Sequence, residues 1–151
     1  MRTYLVVIDE TEEARLALRF AARRAARTGG SVIVLAIIPP QDFVAFGGVQ
    51  ATIEAEAREH AEQLVAAAAD AVQQEANITA QTMIKSGKPA EVVREAIGEN
   101  DEVAALVLAT AATGAPGPLV THFTGQDAGT LPCPVMLVPG GIDIARLDAL
   151  S

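Results

Sequence analysis

The sequence predicts an α/β fold in which helices cover both faces of a parallel sheet, the doubly wound arrangement. Short, continuously apolar segments alternate with longer segments whose apolar residues recur at helical spacing. Continuous apolar runs are typical of parallel strands that are buried on both faces. The chain has 151 residues and 50% hydrophobic content, enough for one compact domain with one sizeable core. We therefore expect a single doubly wound domain.

The first half of the chain predicts two pairs of strand and helix. Tyr4–Ile8 is a β-branched apolar run, and Thr11 after it is suited to cap the first helix, which Gly29 ends. Val32–Ile38 is the second strand. After a loop of roughly ten residues, apolar residues from Ala57 to Val72 recur at helical spacing, which predicts a long second helix.

The second half predicts three more strands. Ile78–Ile84 mixes Thr and Gln with apolar residues, which favours a position at the edge of the sheet. The other expected elements are a third helix from Pro89 to Gly98, a fourth strand Val103–Ala109, a short helix from about His122 to Thr130 with Thr121 as its N-cap, and a fifth strand Val135–Val138.

The candidate binding site follows the first and fourth strands. These strands have the most apolar composition, so we expect them to lie side by side at the centre of the sheet, where ligands bind beyond the strand ends. Asp9 and the small-residue loop from Thr110 to Gly117 should then face each other across one crevice. Two roles are open for each feature: Asp9 binds a ligand or caps the first helix, and the loop holds an anion or only turns the chain.

Charge and composition exclude several classes of protein. The net charge of -8 argues against a nucleic-acid surface, and five arginines on the first helix (Arg15, Arg19, Arg23, Arg24 and Arg27) are interpreted as a solvated face. No apolar run of about eighteen residues could span a membrane, and the acidic pair near the start argues against a signal peptide. We expect a cytoplasmic protein. Cys133 is the only cysteine, and no zinc site is recognisable.

Several motifs together resemble the universal stress protein family over nearly the whole chain. YLVVIDETEEARLAL is similar to the family's first strand, its Asp and its capped helix, and SGKPAEVV is similar to the entry to the third helix. VLATAATGAPG and PCPVMLVP resemble the fourth strand with its G-x-x-G loop and the closing strand. The resemblance implies a five-stranded sheet in the order 3-2-1-4-5, dimerisation through the last strand and, in one branch, binding of ATP or AMP.

The family's binding residues transfer to this sequence only in part. By resemblance, Asp9 matches the ribose-binding Asp, Ile37 falls at the adenine-contacting position, and Gly114 and Gly117 match the first glycines of the phosphate loop. Thr121 and His122 stand where the motif has its closing glycine and Ser or Thr. The phosphate cradle is thus shortened or absent, which favours AMP over ATP and implies a divalent cation only for a polyphosphate.

Two functional hypotheses follow. The first is a stress-response binding protein that holds an adenine nucleotide between Asp9 and the Gly114–Gly117 loop. The second is a ligand-independent adaptor that contacts another protein, for example through Phe43 and Phe46. In both, Val135–Val138 is expected at a sheet edge that pairs with a second copy, and the tail at residues 141–151, which follows a domain of residues 1–140, is expected to cover that seam. No catalytic residues can be named, so an enzyme is not expected.

Overall fold

The computed structural model describes residues 2–40 and 47–151, with side chains for residues 2–40 and 51–151. Strands and helices alternate through this part of the chain. The elements in order are β1 (Thr3–Val7), α1 (Glu12–Thr28), β2 (Ser31–Ile38), α2 (Gly47–Ala76), β3 (Gln81–Ser86), α3 (Pro89–Gly98), β4 (Val103–Ala109), α4 (Pro118–Thr124), β5 (Val135–Val138) and α5 (Ile144–Leu150).

The described strands form one parallel sheet in the order β3-β2-β1-β4-β5. The predicted fold class and strand order are confirmed. β1 pairs with β4 from Thr3 to Val6, so these strands are neighbours, and the polar β3 lies at one edge as its composition predicts. Because all strands are parallel, their carboxyl ends meet at the same side of the sheet, where a doubly wound fold binds its ligands.

Two apolar cores lie on opposite faces of this sheet. Side chains alternate between the faces along each strand, so Val6 packs on the side of α1 and α2, whereas Leu5 packs on the side of α3 and α4. Both residues are fully buried. The alanine-rich face of α1 allows this helix to lie close to the sheet, and Phe123 of α4 fills the second core. Packing on both faces of the sheet holds the carboxyl ends of β1 and β4 in place.

The predicted signals at both ends of α1 are confirmed. Thr11 is extended, and its side-chain oxygen accepts a hydrogen bond of 3.2 Å from the backbone N–H of Ala14. At the other end Gly29 adopts a left-handed conformation with φ 66°, which few other residues tolerate. Thr11 fixes where α1 begins and Gly29 fixes where it ends. Asp9 therefore lies just ahead of the first turn of α1.

The prediction for the short fourth helix was wrong. The helix runs from Pro118 to Thr124, and its N-cap is Gly117 with φ 122°, so Thr121 is an interior residue whose N–H donates to the Gly117 carbonyl. Proline is preorganised for the first helical position, and glycine before it accepts the left-handed backbone that the turn requires. The predicted start of β3 at Ile78 was also early, because the strand begins at Gln81.

The second helix begins earlier than expected. It starts at Gly47, within the stretch that was predicted to be a loop of roughly ten residues. Phe43 and Phe46, the proposed partner-binding aromatics, lie outside the described residues. Within the described residues, no helix combines the length and the apolarity that crossing a membrane requires.

The arginine-rich face of α1 is not the solvated face that the sequence indicated. Arg19 donates to both carboxylate oxygens of Asp148 on α5, each at 2.8 Å, and to Glu75 on α2 at 3.0 Å. Arg23 bonds to the same Glu75 at 2.8 Å. Leu147 of α5 is fully buried, and the tail packs against α1. Arg19 and Arg23 therefore join α1 to α2 and to α5.

Candidate functional site

A cleft of about 440 Å³ opens where β1 and β4 end. We name it the β1–β4 cleft. One wall comes from Asp9, Thr11 and the first turns of α1, and the other comes from the end of β4 and the loop that leads into α4. The cleft is lined by Val7, Asp9, Thr11, Glu13, Ala14, Ala17, Val107, Leu108, Ala109, Ala111, Ala115, Pro116, Gly117, Pro118, Leu119 and Val120. Asp9 and Gly117 thus face one cleft.

The Asp9 carboxylate is partly used by the protein itself. Its Oδ1 accepts hydrogen bonds from the backbone N–H of Thr11 at 2.8 Å and from the Thr11 hydroxyl at 2.5 Å. In the part of the chain that the structure describes, Oδ2 has no partner, and the residue is exposed. One oxygen of Asp9 therefore orders the start of α1, and the other is available to a ligand.

The loop after β4 presents backbone donors to solvent. Gly114 has φ 78° and Gly117 has φ 122°, and a Cβ at either position would meet nothing within 4 Å. The backbone conformation, not crowding, therefore requires glycine at these two positions. Ala111 donates across the loop to the Pro116 carbonyl at 3.1 Å. Among the described residues, the N–H groups of residues 112–115 have no acceptor, so they can approach an anion or a polar group.

Gly140, which supports this loop through Thr110, was missed by the sequence analysis. The backbone N–H of Gly140 donates to the Thr110 hydroxyl at 2.9 Å, and Thr110 donates its own N–H to the Val138 carbonyl at 2.9 Å. A Cβ on Gly140 would lie 2.0 Å from the Thr110 carbonyl oxygen. The pair of glycines after Pro139, which follows the last strand, was the available signal. Gly140 thus fixes the base of the loop against the end of β5.

The charges around the cleft are acidic. Among its lining residues the ionised groups are Asp9 and Glu13, and no Lys or Arg belongs to the set. A phosphate in this cleft would have to be held by backbone N–H groups instead of by basic side chains. The described residues include no group of three or more His, Cys, Asp or Glu side chains that could hold a metal ion. The site is therefore better suited to a ligand of low charge.

The remaining predicted site residues do not line the cleft. Ile37 lies near the end of β2, pairs with Lys85 of β3 and packs into the core on the α3 side. Gly114 lies in the loop, and Thr121 lies inside α4, but neither belongs to the cleft lining. The structure therefore brings together Asp9 and Gly117 of the predicted set and leaves the others outside the cleft.

His122 is engaged in a separate cluster. Its Nε2 lies 2.6 Å from Oδ2 of Asp127, and Arg94 of α3 lies 3.5 Å from the same oxygen. The hydrogen bond from His122 is the main cause that lowers the pKa of the Asp127 carboxyl below its usual value; burial opposes it, and the charge of Arg94 adds a smaller lowering. This cluster connects α4 to the turn after it and to α3. His122 has a structural partner outside the cleft.

Comparison with known proteins identifies the family. The model of the universal stress protein family matches residues 1–139. The chain belongs to the universal stress protein family. The resemblance seen in the sequence is confirmed, and so is the fold that it implies. No curated protein sequence matches the chain significantly.

Solved universal stress proteins share the fold. UspA from Lactobacillus plantarum is 20% identical, with a TM-score of 0.64 over 91% of this chain and 97% of that one. A universal stress protein from Archaeoglobus fulgidus in complex with dAMP is 18% identical, with a TM-score of 0.61 over 91% and 98% of the two chains. Another universal stress protein, in complex with cAMP, is 17% identical, with a TM-score of 0.61 over 92% and 97%.

Proposed function

We propose that this universal stress protein is a stress-response regulatory protein that binds an adenine nucleotide of low charge, of the AMP class, in the β1–β4 cleft. The observation that carries the proposal is that a half-free carboxylate, Asp9, and Ala115 of the loop, whose backbone N–H has no acceptor among the described residues, line one cleft. The dAMP and cAMP complexes of other universal stress proteins support it, because both ligands are adenine monophosphates.

Each side of the cleft offers groups for one part of the ligand. Oδ2 of Asp9 accepts a hydrogen bond from a ribose hydroxyl, since ionised carboxylates are acceptors only. The N–H groups of residues 112–115 donate to the phosphate, and Gly117 gives the loop the backbone conformation that brings it to the cleft. The apolar side chain of Val7 in the cleft, with Ile37 beyond it, offers a surface to the adenine ring. Thr121 and His122 have no part in this arrangement.

Charge selects among the adenine nucleotides. Asp9 and Glu13 repel a triphosphate, and no basic side chain in the cleft lining offsets that repulsion. ATP would need a divalent cation bound together with its phosphates. A monophosphate requires only the loop donors, so we expect AMP to bind more tightly than ATP.

Titration calorimetry tests the proposal. The wild-type chain should bind AMP with a micromolar Kd, and Asp9→Ala should weaken binding about tenfold or more, because a hydrogen bond to a charged group is lost. Asp70→Ala is the matched control, since Asp70 is an exposed carboxylate on α2 and does not line the cleft. Absence of heat at millimolar AMP, or equal binding by the two variants, would refute the proposal.

A dimeric adaptor is the second candidate, and an exposed leucine in the edge strand favours it. Leu137 in the edge strand β5 is 43% exposed, and Ile144 and Leu150 after it are 45% and 48% exposed. Pairing of β5 with the same strand of a second copy would cover Leu137 and satisfy the edge backbone groups. Sedimentation should then give a dimer at micromolar concentration that Leu137→Arg dissociates. A monomeric wild-type chain would contradict this candidate.

A further inference from the structure

A second and larger hollow lies between α1 and α2, and its lining shares only Asp9 with that of the β1–β4 cleft. We name it the α1–α2 groove. Its volume is about 630 Å³, within the range of about 300–1,000 Å³ that is typical of small-molecule sites. The apolar side chains that line it include Leu16 from α1 and Leu64, Ala67, Ala68, Ala71 and Val72 from α2. The run of alanines on α2 leaves the space that larger side chains would fill.

The ionic groups of the groove differ in whether they have partners. Arg19 uses Nε and both Nη atoms in bonds to Asp148 and Glu75, so its charge is compensated. Glu10 contacts His60, with 2.9 Å between Oε1 and Nε2. Arg15 lies one helical turn before Arg19 on the same face of α1, is exposed, and has no bonded partner among the described residues. Arg15 is therefore the cation of the groove that remains available.

We propose that the α1–α2 groove binds an amphipathic aliphatic anion, a long-chain carboxylate. The alkyl chain lies against Leu16, Leu64 and Val72, where it leaves water, and the carboxylate pairs with the guanidinium of Arg15. A guanidinium matches a carboxylate with two parallel hydrogen bonds, which a neutral head group cannot reproduce. A mostly apolar hollow with one well-placed polar group is the usual composition of a site for such a ligand.

The acidic residues of the groove do not favour a cationic amphiphile. Oδ1 of Asp9 is held by two hydrogen bonds from Thr11, Glu75 is shared by two arginines, and Glu10 faces His60. Glu75 and Glu10 face basic side chains, and Asp9 keeps one oxygen, Oδ2, that has no donor, whereas the guanidinium of Arg15 has no acceptor at all among the described residues. An anionic head group complements this unpartnered guanidinium.

Calorimetry with three ligands of equal chain length tests the proposal on the full chain. Laurate, dodecanol and dodecylammonium are titrated below the concentrations at which they aggregate. Laurate should bind one to one and more tightly than the other two ligands. Arg15→Gln should weaken laurate binding about tenfold or more and leave dodecanol binding unchanged, because only the charged pair is lost. Arg58→Gln, which removes an equally exposed charge from α2 outside the groove, is the control.

A second variant tests the position of the alkyl chain. Ala67 and Ala71 are exposed residues that line the groove, so leucine at both positions narrows it without replacing a core residue. The double variant should keep the wild-type unfolding midpoint and weaken laurate and dodecanol alike. The proposal is overturned if laurate shows no saturable binding, if Arg15→Gln and Arg58→Gln bind laurate equally, if dodecylammonium binds as tightly as laurate, or if the double leucine variant binds laurate unchanged.

Discussion

Replacing Gly140 by alanine should disrupt the support of the site loop. The added Cβ would lie 2.0 Å from the Thr110 carbonyl oxygen, 2.8 Å from the Ala112 nitrogen and 2.9 Å from the Ala111 carbonyl carbon. Carbon and oxygen in weak contact are normally about 3.3 Å apart, so the two backbones must separate by about 1.3 Å. All three atoms belong to the main chain, and no side-chain rotation can relieve the overlap.

The expected loss of stability has two parts. Overpacking of a well-packed site costs about 1–3 kcal/mol. The separation also breaks the hydrogen bond from the Gly140 N–H to the Thr110 hydroxyl, worth about 1 kcal/mol. The free energy of unfolding should therefore fall by about 2–4 kcal/mol. With a urea dependence of about 2 kcal/mol per molar, the unfolding midpoint should fall by about 1–2 M.

Urea denaturation followed by circular dichroism measures this change. Gly141→Ala is the matched control, because a Cβ on the next residue would meet nothing within 4 Å, and its effect should stay within about 0.5 kcal/mol. AMP affinity should fall together with stability in Gly140→Ala. Equal midpoints for the two variants would show that β5 does not hold the loop as closely as the structure indicates.

Three further predictions concern capping and charge. Thr11→Ala should lower stability by about 1 kcal/mol in thermal or urea unfolding, and Thr11→Ser should not, because serine keeps the capping oxygen. The hydrogen bond from Arg19 lowers the pKa of Asp148, so the stability that this pair gives α5 is present above pH about 4 and is lost as pH falls through the lowered pKa. Corrected for the intrinsic exchange rate, the hydrogen-exchange protection of α5 should fall in acid, and Asp148→Asn should show low protection at neutral pH; high protection in that variant would contradict the pairing. His122→Gln should raise the pKa of Asp127 in a carboxyl NMR titration, and an unchanged pKa would exclude His122 as the cause.

Local chemistry made much of the fold predictable. The hydroxyl of Thr11 and the left-handed Gly29 act within a few residues, so the sequence alone predicts both ends of α1. Composition also predicts that β1 and β4 are neighbours, because the most apolar strands are those buried on both faces. Because β1 and β4 are neighbours, Asp9 and the loop after β4 line the same cleft.

Other features depend on contacts that no local pattern encodes. Thr121 is a good cap residue, but Gly117 and Pro118 before it form a stronger start, and composition did not decide between the two signals. Arg19 and Asp148 are 129 residues apart, so their pairing follows only from how α5 returns to α1. The α1–α2 groove could not be predicted from the sequence either, because it depends on the spacing between two helices.

Asp9 borders the β1–β4 cleft and the α1–α2 groove, and this shared wall would couple ligand binding at the two sites. The residue lines the β1–β4 cleft and the α1–α2 groove, and its Oδ1 also fixes the first turn of α1 through Thr11. If both hollows are occupied, any movement of this carboxylate caused by one ligand changes the affinity for the other. Thermodynamic linkage makes that influence equal in both directions. Through Asp9, the affinity of each site would thus depend on whether the other site is occupied.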